Sequence, residues 1–256
     1  MIETRVSSLA LLGILAVAAP PAATAGIEPT SRWDPKLDAL EARLEAGKYS
    51  SAQRSLRSLR ERMVRDAASY EGTPRTLARA TALLAVAEAG LANYRDAGWH
   101  WHSAHALDRR AVPGDLGRFG AAGAWLVERP PRRAGDLPGG GRPATAVAHQ
   151  AAPAAGGQPP PAPGIARDAR PVDCPTGMCG LLRHSRDRAP PPVEIEVLVD
   201  FEGRPQDPVL LVPSRFPGFT TAALDAVRFW RFEPARAAGG EPVPVLARVR
   251  VAHPGT

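Results

Sequence analysis

The stretch "AVRFWRFEPARAAGGEPVPVLARVRV", Ala226–Val251, decides the fold. Its first residues continue a helical apolar spacing, with Leu224, Val227 and Trp230 on one side. Pro234 ends that helix. Gly239-Gly240 turn the chain, and Val243–Val251 then alternates apolar and polar residues as a half-buried strand does. Trp230 and Phe232 flank Arg231 where the helix unwinds. Two aromatic side chains there bury enough surface to contribute several kcal/mol, at about 25 cal/mol per Å².

The preceding residues supply partners for that helix and strand. Val193, Ile195, Val197 and Val199 alternate with Glu194, Glu196, Leu198 and Asp200, which predicts a strand with one buried face. Phe201-Glu202-Gly203-Arg204 forms a turn in which Gly203 takes positive φ. Val209–Val212 is a second strand, and Thr220 or Thr221 caps a helix running to Phe229. The candidate core is Ile195, Val197, Val199, Leu224, Val227, Trp230 and Phe232.

The order strand, Gly turn, strand, helix, Trp-Arg-Phe-Glu-Pro-Ala, Gly-x-Pro, strand resembles the C-terminal domain of TonB. Gly203, Ala223, Leu224, Ala226, Trp230–Ala235, Gly240 and Pro242 carry the resemblance, which spans residues 193–253. It implies an α+β module, a small antiparallel sheet packed with a helix. It also implies protein interaction in the periplasm, by pairing an edge strand with an extended segment of an outer-membrane receptor, and a link to an inner-membrane proton-driven motor. Backbone groups would supply affinity and alternate side chains specificity. The candidate edge is Val245, Leu246, Ala247, Arg248, Val249, Arg250 and Val251, with Leu246, Arg248 and Arg250 on one face. Asp207-Pro208 interrupts the second strand, a departure from the family pattern.

Residues 26–129 read as an all-α domain. Leu37, Leu40 and Leu44 follow Asp34-Pro35; Ala52, Leu56, Leu59 and Met63 form the next stripe; Thr73-Pro74 opens a third helix, and a fourth runs from Tyr94 to Arg110. Asp115–Pro130 adds a short fifth. Tyr49 before Ala52, Leu56 and Leu59 matches Tyr94 before Ala97, Trp101 and Ala104. This resembles the turn and second helix of tetratricopeptide hairpins, without their regular spacing. Arg54, Arg57, Arg60, Arg62 and Arg65 lie off the apolar stripe, as a solvated face or a contact for anionic lipid or an acidic partner.

Residues 1–25 read as a secretory signal, with Arg5, an apolar run Val6–Ala19 and small residues before a cleavage between Ala25 and Gly26. That places the mature chain in the periplasm, or at the inner membrane if the segment is retained as an anchor. Residues 130–192, rich in Pro, Ala and Gly, read as a disordered linker that carries no packing between the two domains. Within it Cys174 and Cys179 are spaced to form a disulfide in an exported chain; the rival is a metal site with His184. His100, His102 and His105 in "WHWHSAH" do not converge as ligands on one helix.

The net charge of +6 lies partly in the linker and does not mark a nucleic-acid binder. No nucleophile elbow, zinc-peptidase helix or phosphate loop appears. Glu194 and Glu196 read as solvated. The sequence therefore points to a non-enzymatic envelope interaction protein with no cofactor, catalytic residue or small-molecule substrate, its helices docking one partner and its C-terminal module another. The alternatives are a membrane-anchored energy transducer for receptor-dependent transport, and a metal-binding or enzyme-accessory envelope protein.

Overall fold

Among the described residues, five helices follow one another in the first half of the chain: α1 (Asp34–Glu45), α2 (Tyr49–Ala67), α3 (Pro74–Gly90), α4 (Tyr94–Asp108) and α5 (Gly120–Val127). The computed structural model describes residues 31–67, 74–136 and 191–252, with the backbone of 145–146, 165–167 and 170–173. Leu37, Leu44, Ala52, Leu56, Leu59, Leu83, Leu84 and Ala97 interlock as the core of this helical layer. Gly90 lets α3 approach α2. A Cβ there would sit 2.4 Å from the Tyr49 ring, whose hydroxyl donates to the Phe119 carbonyl at 3.0 Å.

The second half builds a sheet. Strands β1 (Thr145–Ala146), β2 (Ile165–Arg167) and β3 (Arg170–Asp173) are short. They precede β4 (Val193–Val199) and β5 (Pro205–Val212). Helix α6 (Pro217–Arg228) follows, then β6 (Arg231–Glu233), β7 (Ala235–Ala237), β8 (Pro242–Val243) and β9 (Val245–Val251). The main sheet has the order β1-β9-β4-β5. β4 is antiparallel to both β9 and β5, and β1 runs parallel to β9. The fold is α+β. α6 begins at Pro217, a turn before the threonines read as its cap. Thr220 Oγ instead accepts from the Ser214 amide at 3.0 Å, and Thr221 Oγ donates to the Pro217 carbonyl at 2.8 Å.

The aromatic junction closes on the β4–β5 turn. Asp200 Oδ1 accepts from the amides of Glu202 and Arg204, and Gly203 sits at φ +75°. The Phe232 amide donates to the Gly203 carbonyl at 2.8 Å. A Cβ on Gly203 would meet the Phe232 carbonyl oxygen at 2.0 Å. The turn therefore needs glycine twice over, for its backbone conformation and for this close approach. β6 is the strand into which the helix end unwinds at Trp-Arg-Phe-Glu.

Two separate bodies joined by a linker without packing is not what the chain forms. Residues Ser31–Thr256 make one compact unit. The reason is α6, which is buried from Gly218 to Val227 on all sides. It packs on β4 and β5 and on α2, α3 and α4, so helical layer and sheet share one core. Nor is the segment 130–192 wholly unstructured. β1, β2 and β3 pair with β9, β7 and β6, and Arg132 and Gly135 bind β4. Residues 1–25, with the cleavage site Ala25–Gly26, and Cys174, Cys179 and His184 lie outside the described residues.

Candidate interaction edge and its polar supports

β9 is the strand read from the sequence as the candidate edge. All seven of its residues pair in unbroken register with β4, from Val245↔Val199 to Val251↔Val193. On its other side, among the described residues, Leu246 and Ala247 alone are paired, with Thr145 and Ala146 of β1. Val245, Ala247, Val249 and Val251 are buried, as is Leu246 at 3 % exposure, while Arg248 and Arg250 are exposed. The expected shared face of Leu246, Arg248 and Arg250 is thus part buried and part cationic. At the opposite end of the sheet, α4 packs against β5, with His102 Nδ1 3.4 Å from Asp207 Oδ1. The residues proposed as core, Ile195, Val197, Val199, Leu224, Val227, Trp230 and Phe232, are each at most 3 % exposed.

Glu196 is not solvated. It is 1 % exposed, because residues 132–136 fold back over the outer face of β4. Its Oε1 accepts from Arg132 Nη1 and from the Gly135 amide, both at 2.8 Å, and its Oε2 from Arg248 Nε at 3.4 Å. Burial pushes its pKa up. The Gly135 amide, Arg132 and Arg248 outweigh that and hold the carboxyl below its ordinary value. The group ties the start of the supposed linker to the β9 edge.

Helical layer and sheet module meet through charge. Arg60 of α2 forks onto Asp225 of α6, at 2.6 and 2.9 Å, with its Nε on Thr81 Oγ. Both side chains are at most 10 % exposed. Arg228 Nη1 lies 2.7 Å from His100 Nε2. A guanidinium only donates, so Nε2 accepts and the proton of a neutral His100 sits on Nδ1. Arg60 is therefore no part of a solvated face. The missed signal was the pairing of a basic residue on one amphipathic helix with the lone acid of another, far along the chain.

Burial depresses the pKa of all three histidines of α4. Burial drives the His100 pKa well below its ordinary value, and Arg228, Arg60 and Arg57 add to this. Burial lowers His102 against the pull of Asp207, and burial with Arg109 and His102 takes His105 to about 4. Among the described residues no three His, Cys, Asp or Glu groups are placed to hold a metal ion.

The depressed histidines have a consequence for acid stability. Each binds its proton more readily in the unfolded chain, whose histidines titrate near pH 6.5, than in the folded one, so folding is opposed as pH falls through that value. The slope is at most about 1.4 kcal/mol per pH unit for each histidine. Urea midpoints should decline from pH 7.5 to 5.5, and less steeply in His100→Gln. A flat profile would contradict the assignment. Glu196 acts at lower pH, losing its contribution as acid takes the carboxylate through its depressed pKa.

Residues 188–253 match the family model described as Gram-negative bacterial TonB protein C-terminal. This agrees with the resemblance carried by Gly203 and Trp230–Ala235. No curated protein and no solved structure matches the chain. Among the described residues no helix is long and apolar enough to cross a membrane.

Proposed function

We propose that the chain is a non-enzymatic envelope protein whose TonB-like module takes an extended partner segment along β9. One observation carries this reading: among the described residues β9 is held by seven pairs on its inner side and bordered by two on its outer side. A backbone with open donors and acceptors is a template for an added strand. The family match supports an envelope setting and partners such as outer-membrane receptors. A partner strand spanning the whole of β9 displaces the two β1 pairs, and Arg248 and Arg250 beside it favour a segment carrying acidic side chains.

A photo-crosslinker placed at Arg250, on the exposed edge, should join the chain to outer-membrane receptor proteins in intact cells. The same group at Phe201, exposed in the β4–β5 turn, should not. Equal adducts at both positions, or none with an outer-membrane protein, would reject strand addition.

A further inference from the structure

Along α2, away from the core, runs an open groove of about 430 Å³ lined by Arg43, Ser51, Arg54, Ser55, Ser58 and Arg62. Among the described residues three cations and three hydroxyls line it, with no carboxylate and no apolar side chain. Four other arginines of the helical layer are paired instead. Arg57 meets Glu88, Arg60 meets Asp225, Arg79 meets Asp38 and Glu41, and Arg118 meets Glu41 and Glu45. Arg43, Arg54 and Arg62 have no carboxylate within ion-pair distance among the described residues. The one side-chain hydrogen bond seen among the three runs from Arg62 Nε to the Ser58 carbonyl of its own helix, at 3.3 Å.

We propose that this groove binds an acidic, extended polypeptide segment of a partner. Arg54 and Arg62 are eight residues apart, about 12 Å along the helix at 1.5 Å per residue. An extended chain advances about 3.3 Å per residue, so acidic side chains four positions apart on one face lie roughly 13 Å apart and can reach both guanidiniums. Guanidinium forks match carboxylates in geometry as well as charge, and the serine hydroxyls suit a peptide backbone. A membrane surface fits less well. A helix that lies on lipid presents an apolar face beside its basic one, and the apolar stripe of α2, Ala52, Leu56, Leu59 and Met63, is buried in the core. This surface is independent of β9, and neither reading needs the other.

The test uses the full chain and a fluorescent peptide of alternating Glu and Ser, followed by anisotropy at low salt. The wild type should bind. Arg54→Glu/Arg62→Glu should weaken binding by about tenfold or more, as reversing contact charges does. Arg109→Glu/Arg110→Glu, an equal charge change on an exposed 3₁₀ turn of the same layer, should leave it within about twofold. Both pairs are exposed, and thermal melts should show them folded. Equal losses in the two variants would reduce the effect to net charge and overturn the proposal. So would absence of binding, complete competition by inorganic phosphate at equal charge, or groove-dependent binding to phosphatidylglycerol vesicles with none to the peptide.

Discussion

Asp225→Ala is expected to destabilise the whole described fold by about 3–5 kcal/mol, because it strands a buried guanidinium without its carboxylate. Arg60 would keep only the Thr81 hydroxyl. A domain's total stability is typically about 5–15 kcal/mol, so the loss is a large share of what holds α2 to α6. Urea unfolding followed by tryptophan fluorescence and by circular dichroism should shift to lower midpoints together. Arg60→Leu/Asp225→Leu should recover much of the loss, since apolar side chains can replace a buried pair at little cost. A single substitution worth under about 1 kcal/mol would show the pair to be solvated. A double variant as damaging as the sum would show that the two do not act on each other.

Trp230→Ala should remove about 3–5 kcal/mol by truncating a large side chain in a core that cannot collapse around the gap. The side chain is 3 % exposed and lies 6.3 Å, ring to ring, from Phe232. The sequence alone predicts local damage, with a protected helical fragment surviving proteolysis. The shared core predicts that fragments near residues 31–130 and 190–252 lose protection together. Survival of the helical fragment alone would restore the picture of two independent bodies. Trp230→Phe should cost much less. It keeps an aromatic ring and removes an indole N–H that has no acceptor among the described residues.

The elements of the module were legible because their signals are local. Alternation in Val193–Val199 and Val245–Val251 places β4 and β9, and Gly203 and Pro234 punctuate them. The stripes ending at Leu44 and Met63 place α1 and α2 in the same way. What escaped notice depends on residues distant in sequence. α6 carries Thr220, Thr221 and Asp225 as well as its apolar face, which reads as one wet side. That side is instead covered by α2, and Asp225 finds Arg60 across 165 positions. Glu196 occupies an outward position by alternation, yet residues 132–136 cover it. Pro-rich and Gly-rich composition gave no sign that Arg132 folds back there. At the edge, alternation located Arg248 and Arg250 on the exposed side but not the burial of Leu246 beside them. The basic groove was visible only as an arginine-rich helix, since which arginines lack a carboxylate is decided by the packing of other helices against α2.

The separation between Arg60 and Asp225 also orders the events of folding. Closing a flexible loop of that length costs about 4.5 kcal/mol on the (3/2)RT ln n scaling. Synthesis runs from the N-terminus, so α1 to α5 exist long before α6 does. In that interval the flank of α2 that α6 will cover is bare, with Arg60 facing water and the adjoining apolar surface unprotected. A chain halted in this state exposes a sticky surface beside a cation, the kind of intermediate that holding chaperones retain. Native contacts so far apart in sequence also make the final docking slow compared with helix formation. The flank of α2 stays open until α6, and the strands β6 to β9 that follow it in the chain, have been made.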